Sequence, residues 1–528
     1  MKANFLVVIF IGLFFIVSTA IGQNVKMDDG LIGELQKSGV IKKHNEITGY
    51  YFFYKIKERN RQERMYYLDI LDQDLKTISK KKIIGSKSLN LINSAFNGQY
   101  FMFKYIDSKE RKIIHKMYDE EANLISVKVK NISKKVARMY LNIEETDKST
   151  PELIAIPNKG FLSYTFTLNP KNSYQIDFFS SEDENKDWSV NSNENSAFHK
   201  TANLFTFNED VVISLVNIQS TISNDNLQQR ILAHNIQTGE QQFQVDLKDD
   251  KYTIDLTSGE LIAGSNELLL IGEFHQLNAN PSKKSSLGLF TYKMNLFGEI
   301  IDRKYHLWSE SDHMAITENN DNKKNKKTSI WFHDFIHTSD GSIIVVGEKY
   351  RKAVDGAGVA INILDIFLGV LMGYNSYGAN ESMTKIVIED MFIYKFSPEF
   401  ELDTTIVINK NQRDFQLASG SSFLSTRALG QYIVNIGGFD YAFTQLNEKG
   451  DDFAVIYMSD KFSKDRYEKT ICGVVKYENG EIIQQETPMD FYSNSEIINM
   501  YPATDGYVLF TEYFYKEDKI DNRFLKLK

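Results

Sequence analysis

Short alternating or fully apolar runs, each starting directly after a Gly, Asp or Asn turn, recur along almost the whole chain. A turn followed by a run of period two, or by a fully apolar run, is typical of a hairpin in a β-sheet. Eight such turns are centred near Gly49, Gly98, Gly160, Asp210, Asn266, Gly341, Gly430 and Gly506. Their spacing leaves room for a four-stranded antiparallel unit between successive turns.

A second kind of turn lies downstream in most units and joins two further apolar strands. The clearest examples are YKMNLFGEII from Tyr292 and VKYENGEII from Val475. Radial repetition of four-stranded sheets is the β-propeller solution, because neighbouring blades bury both faces of each sheet. The pattern therefore predicts an all-β fold, a single β-propeller of seven or eight blades. Tandem β-sandwiches are the alternative, since they also give short strands with regular turns.

The last unit, from Glu496 to Lys528, has room for only three strands. This favours a closed ring in which a strand near the N-terminus, around Val40, completes the final blade. The predicted domain is 23–528, with helix only in inserts at about 353–383 and 439–466.

Both inserts are assigned to the connection between the second and third strands of consecutive units. Such connections emerge on the face that also carries the connections between blades, so the two inserts should lie side by side. Residues 356–373, GAGVAINILDIFLGVLMG, would form a helix that is apolar around most of its circumference, either a core plug or a sticky patch. The predicted partner-binding residues are Ile361, Leu364, Phe367, Leu368, Leu371, Phe439 and Tyr441.

The N-terminus has the pattern of a secretory signal peptide, residues 1–22. Lys2 precedes an apolar stretch, and Ala20 and Gly22 stand three and one residues before Gln23. A retained membrane anchor is the alternative, but the run is short for a span of about 20 residues. We therefore expect a secreted or periplasmic mature protein that begins at Gln23.

Composition and charge bear on the fold, on nucleic acid as a partner and on disulfide bonds. Abundant Tyr and Phe with little Pro favour β-strands. The formal charge of -9, which becomes -10 when Lys2 is removed, argues against nucleic acid as a partner. Cys472 is the only cysteine, so no disulfide within the chain is available and stability must come from burial.

Two histidines could contribute to a metal site. His333 and His337, four residues apart in WFHDFIHT, should share one face of an innermost strand with Trp331 and Phe335, and Asp312 and His313 lie nearby in sequence. Without a helical H-E-x-x-H spacing or a cysteine ligand, we expect hydrogen-bonded channel or surface histidines and no metal or other cofactor.

Two acidic pairs, Asp249/Asp250 and Asp451/Asp452, bear on glycoside hydrolysis, which needs two carboxylates that flank the bond to be cleaved. Adjacent residues of a strand point to opposite faces, so neither pair can supply both groups. We therefore expect both acidic pairs to lie in solvent-exposed turns. No G-x-S-x-G elbow, P-loop or dinucleotide fingerprint occurs in a strand-to-helix context.

SDGSIIVVG at Ser339 and TDGYVLF at Thr504 resemble the Asp-Gly turn and strand in repeats of secreted bacterial β-propellers. In its repeated turn-and-strand segments the whole chain is similar to secreted proteins of Bacteroidetes-type bacteria. The resemblance implies a fold and a compartment, and it carries no catalytic residue onto this sequence.

Three functions are consistent with these patterns. The first is a non-catalytic secreted or periplasmic propeller that binds an envelope protein or a glycan through its insert-bearing face. The second is a polysaccharide hydrolase or lyase on a propeller scaffold. The third is a peripheral membrane component docked by the apolar insert.

Overall fold

A computed structural model describes the chain from residue 31 to residue 526, with gaps. The segments it leaves out are 44–45, 57–62, 135, 138–152, 168–172, 193–198, 220–227, 263, 280–284, 310–327, 355–383, 417–428, 431–432, 435–436, 448–451, 464–465, 479–480, 490–496, 505 and 515. The predicted signal peptide lies outside the described residues.

The chain enters the fold with a two-residue strand and then forms three successive sheets. The entry strand is β1 (Leu31–Ile32). Blade 1 contains β2 (Glu34–Lys43), β3 (Glu46–Ile56), β4 (Glu63–Asp72) and β5 (Thr77–Ser86). Blade 2 contains β6 (Leu89–Phe96), β7 (Tyr100–Asp107), β8 (Lys112–Asp119) and β9 (Leu124–Asn131). Blade 3 contains β10 (Leu153–Ile156), β11 (Gly160–Thr167), β12 (Ser173–Ser180) and β13 (Trp188–Asn191), with a 3₁₀ helix at Glu184–Lys186.

Three further blades follow the same order. Blade 4 contains β14 (His199–Phe207), β15 (Val211–Gln219), β16 (Gln228–Asn235) and β17 (Gln241–Asp246). Blade 5 contains β18 (Tyr252–Leu261), β19 (Glu267–Gln276), β20 (Gly288–Asn295) and β21 (Ile300–Leu307). Blade 6 contains β22 (Ser329–His337), β23 (Ile343–Val354), β24 (Thr384–Phe396), β25 (Leu402–Ile408) and a short extra strand β26 (Arg413–Gln416).

Two more sheets bring the total to eight. Blade 7 contains β27 (Tyr441–Leu446), β28 (Phe453–Ser463), β29 (Arg466–Glu478) and β30 (Glu481–Met489). Blade 8 contains β31 (Ile497–Pro502), β32 (Tyr507–Phe514) and β33 (Lys519–Lys526), and β1 pairs with β33 as its fourth strand. The fold is an eight-bladed β-propeller, as predicted.

An apolar cluster lies at every one of the blade-to-blade interfaces, including the interface that joins blade 8 to blade 1. The second strand of each blade is buried on both faces, which explains runs such as ELLLIGEFHQ in β19. The closing cluster joins Tyr50 and Phe52 of blade 1 to Leu509 and Tyr513 of blade 8. The ring is therefore closed, and tandem sandwiches are excluded.

The strand that closes the ring lies upstream of its predicted position. Leu31 pairs with Ile520 and Ile32 pairs with Lys519. Val40, the predicted centre of the closing strand, lies in β2, the innermost strand of blade 1. The closing strand has only two residues, too few for a recognisable strand pattern, whereas the next, longer strand has one.

Most predicted turns join the first two strands of a blade, but two do not. Gly49 lies inside β3, and Gly430 lies in the connection before blade 7. The turn that joins β27 to β28 instead runs from Asn447 to Asp452, where the Asn447 N–H donates to the Asp452 carbonyl. Residues 439–466 are therefore mainly two strands of blade 7, which corrects the second predicted insert. Nearly all of the first predicted insert, 355–383, lies outside the described residues, between β23 and β24.

Antiparallel order fixes the two faces of the ring. Turns between the first and second strands, and between the third and fourth, open on one face. Connections between the second and third strands, and between blades, open on the other, which we call the insert face.

Candidate functional site

A β-bulge in β22 separates the two predicted histidines. Trp331 pairs with Glu348 and Phe332 with Gly347, but Asp334 pairs with Val346, so His333 is the additional residue. The bulge reverses the alternation, and Trp331 and Phe335 therefore lie on opposite faces of the sheet. The prediction that His333 and His337 share one face of the strand is also wrong, because His333 is the bulge residue and the alternation of side chains is interrupted there.

No metal site is formed by these histidines within the part of the chain that the structure describes, where no group of three His, Cys, Asp or Glu side chains could hold a metal ion. Asp312 and His313 lie outside the described residues. Burial lowers the pKa of His337.

A buried ion cluster lies between blades 6 and 7, towards the insert face. Lys410 stands at the break between β25 and β26, and its side chain is 0% exposed. Its Nζ lies 2.8 Å from Glu348 Oε1 and 2.8 Å from Asp440 Oδ2. Glu348 is on β23, and Asp440 directly precedes β27. One ammonium thus joins a carboxylate of blade 6 to a carboxylate at the start of blade 7.

Main-chain donors complete the surroundings of Glu348. The Asp440 N–H donates to Glu348 Oε1 at 3.2 Å, and the Tyr441 N–H donates to Glu348 Oε2 at 3.3 Å. His333 Nε2 lies 3.2 Å from Glu348 Oε2, outside hydrogen-bond geometry. The His333 ring stacks on the Tyr441 ring with centroids 4.5 Å apart. We call Glu348, Lys410, Asp440, His333 and Tyr441 the seam cluster.

The two carboxylates of the seam cluster have opposite pKa shifts. Burial raises the pKa of Glu348, but the nearby Lys410 and then His333 outweigh burial, so the net pKa of Glu348 is lowered. Burial also raises the pKa of Asp440. Lys410 lowers it and Glu348 raises it further, so the net pKa of Asp440 is raised. Asp440 Oδ1 accepts no hydrogen bond from the described residues, and Arg413 Nη1 lies 3.7 Å away.

The shift of Asp440 predicts a pH dependence with a definite sign. Because the pKa of Asp440 is raised above its ordinary value of 3.8, the folded protein should keep this proton to a higher pH than the unfolded chain does. The stabilisation linked to the proton is therefore present below the ordinary pKa and is lost as the pH rises through the raised pKa. Replacing Asp440 with Asn should remove this slope.

Urea unfolding of Asp440→Asn and the wild type at pH values of about 4.5 and 7 checks this prediction. Between the lower and the higher pH, the wild type should lose more unfolding free energy than Asp440→Asn does, so the variant should be relatively more stable at the higher pH. A difference that is constant, or that moves the other way, would contradict the proposed proton.

A polar row continues from the seam cluster along the innermost strands of blades 7, 6, 5 and 4. The Tyr441 hydroxyl donates to Asp334 Oδ2 at 3.1 Å. Burial, and then the charge of Asp334, raise the pKa of Glu260 to about 7. Thr206 of blade 4 donates to Glu260 Oε2 at 3.4 Å. Two half-buried carboxyl groups of blades 5 and 6 thus lie within electrostatic reach of each other.

The two described residues of the predicted partner-binding set pack inward. Phe439 is 7% exposed and contacts the rings of Trp331, His333 and Tyr350. The Tyr441 ring is held between His333 and Asp334. Both side chains support the insert face from beneath. Ile361, Leu364, Phe367, Leu368 and Leu371 lie outside the described residues.

Blades 6 and 7 carry hairpins that extend beyond their innermost strands. The pairing of β22 with β23 ends at Tyr350, but β23 continues to Val354 and pairs there with β24. β26 adds a further strand by pairing with residues 385–388 of β24. In blade 7 the pairing with β27 ends at Tyr457, and β28 continues to Ser463. In blades 2, 4 and 5 the innermost strand pairs with the second strand up to the last residue of the second strand. In blade 3, β11 also continues from Ser163 to Thr167 past its pairing with β10, but neither neighbouring blade has such an extension.

The described members of the two acidic pairs have structural roles, and Asp451 lies outside the described residues. Asp249 Oδ2 accepts hydrogen bonds from the hydroxyls of Tyr292 and Tyr305, and Asp249 Oδ1 accepts them from the N–H groups of Lys251 and Tyr252. Asp249 therefore fixes the connection between blades 4 and 5, and the prediction that its side chain is solvated is wrong, because that side chain is 4% exposed. Asp452 lies in the β27–β28 turn, where it accepts a hydrogen bond from the Asn447 side chain.

Sequence patterns did not single out Glu348, Lys410 or Asp440. Glu348 follows the apolar run IIVVG of β23, and this charge at an otherwise buried position was the one available indication. Lys410 lies in the polar segment NKNQ and resembles any surface lysine.

Comparison with known proteins places the chain in a family. A profile described as a family of unknown function, DUF6770, matches residues 1–528. The chain belongs to the DUF6770 family. None of the curated proteins matches this DUF6770 chain. No helix among its described residues is long and apolar enough to cross a membrane.

Several solved propellers resemble this DUF6770 chain at low identity. Prolyl oligopeptidase B from Galerina marginata is 8% identical over 92% of this chain and 55% of its own, with a TM-score of 0.39. The propeller domain of the Trilobed protease from Pyrococcus furiosus is 9% identical over 88% and 99%, with a TM-score of 0.36. Polysaccharide lyase Uly1 is 9% identical over 83% and 90%, with a TM-score of 0.38. The DUF6770 chain spans about half the length of the prolyl peptidases, and at these identities the similarity concerns the fold alone.

Proposed function

We propose that this protein is a non-catalytic secreted or periplasmic propeller that binds an envelope protein or a glycan through the insert face of blades 6 and 7. The observation that carries the proposal is the pair of neighbouring hairpins, β23–β24 and β28–β29, that extend past their innermost strands on this face. Loops and hairpin ends on a rigid scaffold are where binding residues concentrate.

The seam cluster supports a binding role for this face. Its three charged groups are fully buried, and Lys410 contacts both carboxylates. Glu348 lies on β23, and the Asp440 carbonyl accepts a hydrogen bond from the Met458 N–H of β28, so the cluster connects the bases of the two hairpins. A fixed base reduces the conformational entropy lost when a partner binds.

Deletion of residues 356–379, with a short Gly-Ser bridge, tests the proposal. The blades should remain folded, because β23 and β24 keep their pairing, and the partner that co-purifies from the native envelope should be lost. Phe297→Ala, on the opposite face, is the matched control and should retain it. Equal recovery with the deletion and the control would contradict the proposal, and binding to lipid vesicles instead would favour the peripheral membrane alternative.

Export is part of the proposal and has its own expected result. The mature protein should begin at Gln23, because cleavage follows the small residues Ala20 and Gly22. Intact-mass analysis of the exported protein checks this. A mass that includes the apolar N-terminal segment would show that the segment is an anchor.

A polysaccharide hydrolase or lyase is the second candidate, favoured by the carboxyl pair Glu260 and Asp334. The pKa of Glu260 is raised to about 7 next to a second carboxyl group, and two carboxyl groups in different environments are the usual source of a general acid and a general base. We expect no turnover on a panel of envelope and plant polysaccharides. Turnover by the wild type that disappears in both Glu260→Gln and Asp334→Asn would establish the enzyme.

A further inference from the structure

A lysine amine and an aspartate carboxyl group are buried against each other where blade 6 meets blade 7. Lys410 Nζ lies 2.8 Å from Asp440 Oδ2, and both side chains are 0% exposed. Asp440 Oδ1 accepts no hydrogen bond from the described residues. Taking two charges out of water costs free energy, and the attraction between them often repays this cost only in part. A reaction that removes both charges would therefore relieve the cost.

A second carboxylate touches the same amine. Glu348 Oε1 lies 2.8 Å from Lys410 Nζ. The N–H groups of Asp440 and Tyr441 donate to the two oxygens of Glu348 and fix its orientation. A general base must lie within hydrogen-bond reach of the proton that it removes. Glu348 meets this condition at the amine, and it is tied to the main chain of the residue whose carboxyl group faces that amine.

The main chain is also fixed on both sides of the contact. The Asp440 carbonyl accepts a hydrogen bond from the Met458 N–H at 2.8 Å, and the Lys410 N–H donates to Asp390 Oδ1 at 3.4 Å. Phe439, next to Asp440, is 7% exposed and packs on aromatic rings of blade 6. Two groups held in contact and shielded from water react as if their concentration were very high.

We propose that Lys410 and Asp440 condense into an isopeptide bond, with Glu348 as the base that carries the proton. The ammonium first passes one proton to the Asp440 carboxylate, which leaves a neutral amine and a neutral carboxylic acid. Nζ then bonds to Cγ of Asp440, and Glu348 takes a second proton from Nζ and delivers it to a hydroxyl group on Cγ. That hydroxyl leaves as water when its bond to Cγ breaks. The products are one amide, one water and an unchanged Glu348, and no oxidant or added reagent is consumed.

The ion pair is the resting form of the two groups. Burial lowers the pKa of Lys410, but the two carboxylates outweigh burial, so its net pKa is raised. Burial also raises the pKa of Asp440, which favours the acid form that the reaction requires. The bond should therefore form gradually after folding. The pH dependence and the unfolding costs expected for the seam cluster refer to the ion-paired form.

The bond would attach the segment between β25 and β26 of blade 6 to the residue that precedes β27 of blade 7. It closes the loop from residue 410 to residue 440. A covalent cross-link stabilises a protein mainly by restricting the unfolded chain, so the bonded form should unfold at a higher urea concentration. The bond goes beyond the proposed partner binding and does not depend on it, because all of its atoms belong to this chain.

Mass spectrometry tests the bond directly. After prolonged incubation of the folded wild type, the denatured chain should be lighter by the mass of one water molecule. Trypsin should release one branched peptide that joins residues 396–413 to residues 428–449. Lys410→Arg keeps the positive charge but has no amine to condense, and it should show neither the mass loss nor the branched peptide.

Glu348→Gln tests the base, with circular dichroism as the check that the variant is folded. Water loss should slow by about 100-fold or more, the usual contribution of a general base. The pair Lys385 and Asp414 is the matched control, because Nζ and Oδ2 are 3.2 Å apart but both side chains are partly exposed, and it should stay unlinked. Wild type that keeps its full mass, water loss that persists in Lys410→Arg, or folded Glu348→Gln that reacts as fast as wild type would overturn the proposal.

Discussion

Replacing Lys410 with methionine is expected to lower the free energy of unfolding by about 3–5 kcal/mol, the cost of breaking a buried ion pair. Methionine fills a similar volume but leaves Glu348 and Asp440 buried together without a cation. Urea unfolding checks this, with Trp331 as a fluorescent reporter close to the seam cluster.

Lys385→Met is the matched control. Lys385 also pairs with a carboxylate, Asp414, but both side chains are partly exposed, and the variant should change the stability by no more than about 1 kcal/mol. If the two variants lose the same stability, Lys410 does not hold blades 6 and 7 together.

Replacing Phe53 with alanine should cost about 3–5 kcal/mol, because the ring is fully buried between blades 1 and 2. It packs against the rings of Tyr66 and Phe103 at centroid distances of 5.2 and 4.8 Å. Phe297→Ala, at an 83% exposed turn, should change the stability by less than about 0.5 kcal/mol. Similar losses in the two variants would show that the aromatic residues do not form the blade-to-blade packing.

The fold could be predicted because each blade repeats the same local chemistry. A Gly, Asp or Asn turn followed by a largely buried strand recurs at the predicted place in blades 2 to 6 and in blade 8, for example at Gly98, Gly160 and Gly341. The predicted turn of blade 7 was wrong, because the apolar segment around Gly430 has the same local pattern. In the structure Gly430 instead packs against Trp331 and the Tyr350 hydroxyl, a contact between segments that no local pattern contains.

The sequence indicated a candidate face of the ring but not the residues of the seam cluster. The long connection of blade 6 pointed to the insert face, because the order of strands along the chain decides on which face that connection emerges. The seam cluster could not be found in this way, because Glu348, Lys410 and Asp440 meet across a blade interface and are separated by 30 or more residues. The bulge at His333 likewise depends on the register with β23 and not on the composition of β22.

Site-specific photo-crosslinking in native cells tests the central claim, that the insert face of blades 6 and 7 binds a partner. A photo-reactive residue at the exposed Asp414 of blade 6 is compared with one at Phe297, at a turn on the opposite face. We predict one specific adduct from position 414, absent when residues 356–379 are deleted, and none from position 297. An adduct from position 297 alone, or an adduct from position 414 that persists after the deletion, would contradict the account.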